Sequence, residues 1–396
     1  MQKITFVIPS RNNLEFLKLA YQSIRNLETR HEILILDDAS TDGTSEWITE
    51  LNDSDIMHYH NPGPERVGIV GMFDKGIAMA RTNIIMAFHA DMIACKDLDK
   101  NILKHLKPLT VVSATRVEPP LHPPGPEKLT VNFGIEAEEF SFENWYQASE
   151  DLKQDKTTEG IFAPWCMYKE DFLAIGGHDE LFAPQSKEDS DLFNRFVLNS
   201  YQILQSWDGL VYHFTSRGSR FNKHAGGGAG KNSEEWLYTT TKNMRNFIRK
   251  WGTPVKHDAL MKPIITPKYN IAFVINNCNL FLLQALEPWC DRIYVDEVLP
   301  DGRIEDYIKV EQANTNLDLQ KRVLVASKND PSSENDIIVK FNANNLTQDK
   351  FEILSQLPNI IQESGEVGTF ELDIFTVEIK AMTQNQHSLI NTFTYE

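Results

Sequence analysis

The sequence predicts an α/β protein: a mostly parallel sheet with helices on both faces over residues 1–252, a linker at 253–268, and a smaller α/β domain at 269–396. Three observations predict it. Strand-like and helix-like segments alternate from Ile4 onward. A strand-like run ends in the polar cluster His89-Ala90-Asp91. A stretch holding Pro254, Pro263 and Pro267 precedes a second alternation that starts at Tyr269.

Residues 4–8 are short and β-rich, and Leu14, Leu17, Tyr21 and Ile24 recur at helical spacing. Residues 32–36 make a second buried strand. Ser40-Thr41-Asp42-Gly43-Thr44 then breaks the pattern and can cap a helix holding Trp47, Ile48 and Leu51. Residues 84–88 and 111–114 are further apolar strands, separated by a helix around Leu103. Pro119, Pro120, Pro123, Pro124 and Pro126 cannot supply ladder donors and predict an extended surface loop.

In the second segment, residues 271–275, 293–295, 323–326, 337–341 and 370–379 read as strands, with no recognisable chemical motif among them. Ile4-Thr5-Phe6-Val7-Ile8 before Asn12-Asn13 matches Ile271-Ala272-Phe273-Val274-Ile275 before Asn276-Asn277. Apolar strands of this kind are common in α/β proteins, so the sequence alone favours coincidence over an internal repeat.

At 396 residues and a formal net charge of -17, the chain has the composition of an ordinary globular protein, and the charge disfavours broad binding to nucleic acid or anionic lipid. The apolar N-terminus is too short for a signal peptide, and the segment 271–289 is interrupted by Asn276, Asn277, Asn279, Gln284 and Glu287. No membrane span and a cytoplasmic location are expected. Cys95, Cys166, Cys278 and Cys290 lie far apart, without the spacing of a zinc site or a disulfide framework.

Two strand ends carry the first chemistry. Val7-Ile8-Pro9-Ser10-Arg11-Asn12 and Ile35-Leu36-Asp37-Asp38 end parallel strands side by side, where an acid can accept hydrogen bonds from a nucleobase edge. Asp38 is the acid of choice; turn chemistry serves Asp37 equally well. Further on stand Arg66-Val67-Gly68 with Asp74-Lys75-Gly76, then His89-Ala90-Asp91. A block from Gly160 follows, with Gly176-Gly177 and Lys187-Glu188-Asp189-Ser190-Asp191, and last comes Leu210-Val211-Tyr212-His213-Phe214.

In this order the motifs resemble the family 2 glycosyltransferases of GT-A fold, over about residues 4–251. The resemblance implies a nucleotide-sugar-binding fold and an inverting transfer from a nucleotide-diphosphate donor. Asp38 would contact the base, commonly uracil, with Pro9 and Arg11 lining its pocket. Phe73 stands where many members place an arginine near the diphosphate, which leaves Arg66 or Lys75 as substitutes. His89-Ala90-Asp91 takes the place of the D-x-D metal motif, with Asp91 and His213 as ligands of Mn2+ or Mg2+. For His89 a ligand role, a supporting role and simple packing all stay open.

Asp189 matches the catalytic base, Glu188 and Asp191 come next, and N-terminal helix capping is the alternative for all three. The segment 216–232, with Arg217, Arg220, Lys223, His224, Gly226-Gly227-Gly228, Gly230 and Lys231, reads as a lid over phosphates or as a polar linker. The acceptor must bear a hydroxyl. A glycan is the family's commonest choice, while a protein side chain, a metabolite and a hydroxymethylated DNA base also offer one. A nucleotidyltransferase shares the phosphate and metal needs, but the Glu188-Asp189 block and the late histidine argue against it. A non-catalytic nucleotide-sugar-binding module is the other rival.

Overall fold

The computed structural model describes residues 2–384 and 386–390. Its first part runs β1 (Thr5–Ser10), α1 (Leu14–Arg25), β2 (Glu32–Asp38), α2 (Thr44–Glu50), β3 (Ile56–Asn61), α3 (Gly68–Met79), β4 (Ile84–Ala87), β5 (Met92–Ala94), α4 (Leu98–Leu103) and β6 (Thr110–Glu118). Then come β7 (Leu129–Thr130), α5 (Phe142–Leu152), β8 (Thr157–Thr158), β9 (Trp165–Tyr168), α6 (Lys169–Ala174), α7 (Glu188–Leu198), β10 (Gln202–His213) and α8 (Glu234–Trp251). One sheet holds the order β3-β2-β1-β4-β9-β6-β10-β5. Strands β3, β2, β1 and β4 are mutually parallel, and β9 runs antiparallel between β4 and β6. Because β9 opposes both neighbours, β4 and β6 point the same way, as does β10 beside β6. The carboxyl ends of β1, β2, β4, β6 and β10 therefore share one edge, where ligands of such sheets bind.

Helix α3 is seated on the sheet through Gly76, where an added Cβ would lie 2.5 Å from Val7 and 2.7 Å from Leu36. Only glycine permits that approach, and it brings the start of α3 to the ends of β1 and β2. The expected proline loop is present, with Pro120, Pro123, Pro124 and Pro126 exposed.

The chain forms two compact units. The first holds residues up to Thr241 together with 257–264, and the second holds 242–256 and 265–390. The division differs from the expected linker at 253–268, because buried charge ties the end of α8 into the second unit. Arg249 there is fully buried between Glu287 (2.7 Å) and Glu311 (2.5 Å). Leaving either partner alone in the interior would cost several kcal/mol, roughly 3–5.

The second unit comprises β11 (Ile271–Asn276), α9 (Leu280–Leu286), β12 (Arg292–Val295), β13 (Val298–Leu299), β14 (Gly302–Arg303), α10 (Ile304–Glu311), β15 (Val323–Val325), β16 (Ile337–Asn342), α11 (Gln348–Ser364), β17 (Gly368–Leu372) and β18 (Phe375–Ile379). Residues 370–379 do not form the single strand expected. Asp373 adopts a left-handed φ of 56° and folds the run into the β17-β18 hairpin.

The Ile4 and Ile271 segments that match in sequence also open the same strand succession. The second sheet orders β15-β12-β11-β16, the same succession as β3-β2-β1-β4, with each first strand parallel to both neighbours. Asn12 and Asn277 are both left-handed, at φ 49° and 56°. In each copy an aspartate beyond the second strand accepts the N–H that opens the first helix, Asp42 from Leu14 at 2.9 Å and Asp301 from Leu280 at 2.8 Å. By register, Val298, Asn342 and Asn344 stand where the first unit has Asp38, His89 and Asp91. Among the described residues no helix is long and apolar enough to cross a membrane.

Candidate active site

At the shared edge of the first sheet lies a cavity of about 150 Å³ lined by Pro9, Arg11, Asp38, Arg66, His89, Ala90, Asp91 and His213, with Ser216 and Ser219 also on its wall. Sequence-distant strand ends thus bring eight expected residues together. Asp91 follows β4 and His213 ends β10. His89, Asp91 and His213 each offer a ligand atom within 4.8 Å of the other two. His213 Nε2 lies 3.7 Å from Asp91 Oδ1. On its other side, His213 Nδ1 pairs with Glu118 Oε1 at 2.8 Å, which fixes the ring so that Nε2 faces Asp91.

Burial alone would raise the pKa of Glu118, but His213, Arg116 and Lys128 outweigh it and hold the carboxyl well below its usual range. His89 has protein on most sides. Desolvation lowers its pKa despite the nearby charges of Asp91 and Asp189, so the neutral, ligand-competent ring is favoured. Two imidazoles and a carboxylate suit a divalent transition cation, with the remaining positions open to phosphate oxygens. The loop after β10 caps this group. Arg217 N–H donates to Asp91 Oδ2 at 2.6 Å, and Ser216 N–H lies 3.5 Å from His213 Nε2.

Asp38 is almost wholly buried. Its Oδ1 accepts from Val67 N–H and Asn61 Nδ2, both at 2.8 Å, and its Oδ2 accepts from Gly68 N–H at 2.7 Å. It anchors the start of α3, and with three bonds made it keeps acceptor capacity for a ligand. Arg66 is paired with Glu235 and Gln185, and Arg11 Nη1 lies 3.5 Å from the same Glu235. Ser10 Oγ, Arg11 Nε, Asn13 Nδ2 and Arg66 Nε are buried without a hydrogen-bond partner. All four residues line the cavity. Buried donors left open in this way carry a desolvation cost of about 1–3 kcal/mol each unless a ligand accepts from them.

The segment that leads into α7 is strained. Ser186 and Lys187 are both left-handed, at φ 76° and 75°, and such residues cost about 1–3 kcal/mol each and gather at functional sites. Glu188 is buried, and burial, then the neighbouring Asp189, push its carboxyl up to about 8. Asp189 is half-buried. Its charge acts on both His89 and His178.

Residues 5–173 match the model of glycosyl transferase family 2. That segment is a family 2 glycosyltransferase domain. Similar solved structures include GalNAc-T7 with UDP, GalNAc and Mn2+, at 11% identity and TM-score 0.45, covering 64% of this chain and 51% of that one. The mannosyltransferase PcManGT from Pyrobaculum calidifontis, in complex with GDP-Man and Mn2+, is 17% identical at TM-score 0.41, covering 63% of each chain. S. aureus TarS is 13% identical at TM-score 0.41, covering 62% of this chain and 40% of that one. This chain thus spans less than two thirds of the length of each. A comparison with curated protein sequences gives no significant match.

The remaining expected residues take other roles. Lys75 is exposed, with its ammonium 3.7 Å from the Tyr59 ring centroid, and does not line the cavity. Asp37 pairs with His60 at 2.9 Å and accepts from Ser40 N–H at 3.2 Å, the turn role. Asp191 is wholly buried at 2.8 Å from Arg195, whose guanidinium donates to the carbonyls of Ile175 and Gly177 and secures the Gly-Gly turn. The sequence reading missed Glu118 and Glu235. Glu118 had one faint signal, an acid closing an apolar strand just before the prolines; Glu235 had none.

Proposed function

We propose that this glycosyltransferase moves a sugar from a uridine-diphosphate donor to an acceptor hydroxyl, most simply of a glycan, with inversion and with Mn2+ or Mg2+. The observation that carries the reading is the convergence of His89, Asp91 and His213 beside buried, unpartnered donors in one cavity. Asp91 and His213, with His89 as third ligand, would hold the cation. When bound, it offsets the charge on the departing diphosphate. Asp38 orients the base, Arg11 and Arg66 exchange Glu235 for phosphate oxygens, and Asp189 takes the acceptor proton. The cavity is smaller than the several hundred Å³ of most small-molecule sites. Donor binding accordingly shifts the wall at Ser216 and Ser219.

The test is a thermal-shift screen of nucleotides and nucleotide-sugars with Mn2+ or with EDTA. Uridine nucleotides with Mn2+ are expected to raise Tm more than adenine nucleotides, since a ligand at about 100 times its Kd adds about 2.7 kcal/mol of stability. A panel in which no nucleotide shifts Tm in either condition overturns the reading. Glu118→Gln keeps the shape beside His213 but removes the charge that orients it. Metal-dependent UDP affinity is expected to fall about 10-fold; unchanged calorimetric affinity would exclude this supporting role.

A further inference from the structure

Glu235, in the first turn of α8, meets both arginines of the cavity with a single oxygen. Its Oε1 pairs with Arg66 Nη1 and lies 3.5 Å from Arg11 Nη1. The start of α8 is fixed, since Ser233 Oγ accepts the Trp236 N–H at 3.2 Å and the Ser233 N–H donates to the Arg220 carbonyl at 2.8 Å. Arg11, Arg66, Gln185 and Glu235 line a cleft of about 90 Å³, and all of these but Glu235 also line the main cavity. Among the described residues no other acid pairs with either arginine.

The fit is incomplete. Glu235 engages one nitrogen of each guanidinium. Arg66 Nη2 donates to Gln185 Oε1 at 3.2 Å, while Arg11 Nε and Arg66 Nε are buried without a partner. A phosphoryl group carries more charge than a carboxylate and offers three oxygens, which guanidinium groups receive in pairs. It can therefore replace Glu235 and also answer donors that Glu235 leaves open. The Glu235 side chain is 40% exposed, so solvent screens its ion pairs and can take up the carboxylate when it leaves.

We propose that Glu235 is a built-in competitor for the donor's diphosphate: it occupies Arg11 and Arg66 in the empty protein, and only a phosphoryl-bearing ligand displaces it. The role rests on the reading of these two arginines as phosphate-binding. Such a competitor lowers the apparent affinity for every phosphorylated ligand by the fraction of molecules in which the arginines are free. It leaves a nucleoside without phosphates unaffected. The donor site is thereby tuned against partial ligands by a residue of its own chain.

The experiment compares wild type, Glu235→Gln, and Glu235→Gln combined with Arg66→Gln by calorimetry with Mn2+. The probes are UDP, inorganic pyrophosphate and uridine, and Tm is recorded without ligand. Glu235→Gln is expected to bind UDP and pyrophosphate about 5-fold or more tightly than wild type, with uridine affinity within about 2-fold and a Tm no higher. In the Arg66→Gln background the gain should shrink to within about 2-fold, because the two residues act through one contact. Unchanged or weaker UDP affinity in Glu235→Gln, with wild type binding UDP, overturns the competitor alone. An equal gain for uridine overturns it too, since the substitution would then have opened the site generally. A wild type that binds pyrophosphate but not UDP, with the gain kept, supports the competitor and removes the uridine-diphosphate reading. A wild type that binds neither overturns both. If Glu235→Gln does not fold, Glu235→Asp, which keeps the charge and withdraws it by one methylene, gives the same comparison.

Discussion

Asp91→Ala is expected to abolish turnover and to reduce UDP affinity in Mn2+ to the value seen in EDTA. Asp91 supplies the only carboxylate of the group with His89 and His213, and it sits where the backbone of β4 delivers it against the end of β10. Without it, two imidazoles face a cation with no anionic ligand, and the diphosphate loses the charge that lets it depart. The same variant also frees Arg217 N–H, which Asp91 Oδ2 now accepts at 2.6 Å. Some loss of stability, about 1–2 kcal/mol, will accompany the loss of function. Turnover is followed by UDP release. Activity within 10-fold of wild type would remove Asp91 from the metal site.

The second large effect is expected at Asp189. An acceptor hydroxyl is a poor nucleophile until a placed base takes its proton, and such assistance is worth about 10² to 10⁴ in rate. Asp189→Asn keeps the size of the side chain, so UDP and Mn2+ affinity should stay near wild type while transfer falls by that factor. A cap would behave differently: its replacement lowers stability by about 1 kcal/mol and spares the rate. Asp189 is half-buried at a helix start where its neighbour Glu188 is wholly buried, and that difference in solvation separates the two acids. Normal turnover in Asp189→Asn, with UDP binding intact, moves the base role to Glu188.

The parts of this site that could be read from the sequence are those written in short, contiguous runs. Pro9 and Arg11, Asp38, His89 to Asp91, and His213 each stand at or just past the end of an apolar strand, and an apolar run followed by polar residues is visible in one dimension. A parallel sheet then does the rest, since all such ends meet at one edge. What the sequence hid depends on contacts between distant residues. Glu118 meets His213 across 95 positions, and Arg66 meets Glu235 across 169. His178 and Asp74, 104 apart, lie on two segments that each look like ordinary turn and helix.

The fold shows the same division. Strand β3 was missed because its run Ile-Met-His-Tyr-His-Asn is only half apolar; it gains its place by pairing in register with the fully buried β2. The repeat of the first four-strand arrangement in the second unit was equally hidden. The residues at the positions of Asp38, His89 and Asp91 are amides or apolar in the second unit, so what the two share is topology, a left-handed asparagine and an aspartate at a helix start. Those features follow from how a strand must turn into a helix. The N-A-N of residues 342–344 in place of H-A-D makes the second copy a poor holder of a cation.

Calorimetric titration of the full chain with UDP, once with Mn2+ and once with EDTA, tests the central claim most directly. If His89, Asp91 and His213 hold the cation that receives the donor's diphosphate, UDP binds at one site with Mn2+ and at least about 10-fold more weakly with EDTA, a difference of about 1.4 kcal/mol. Equal affinity in the two conditions would contradict the account.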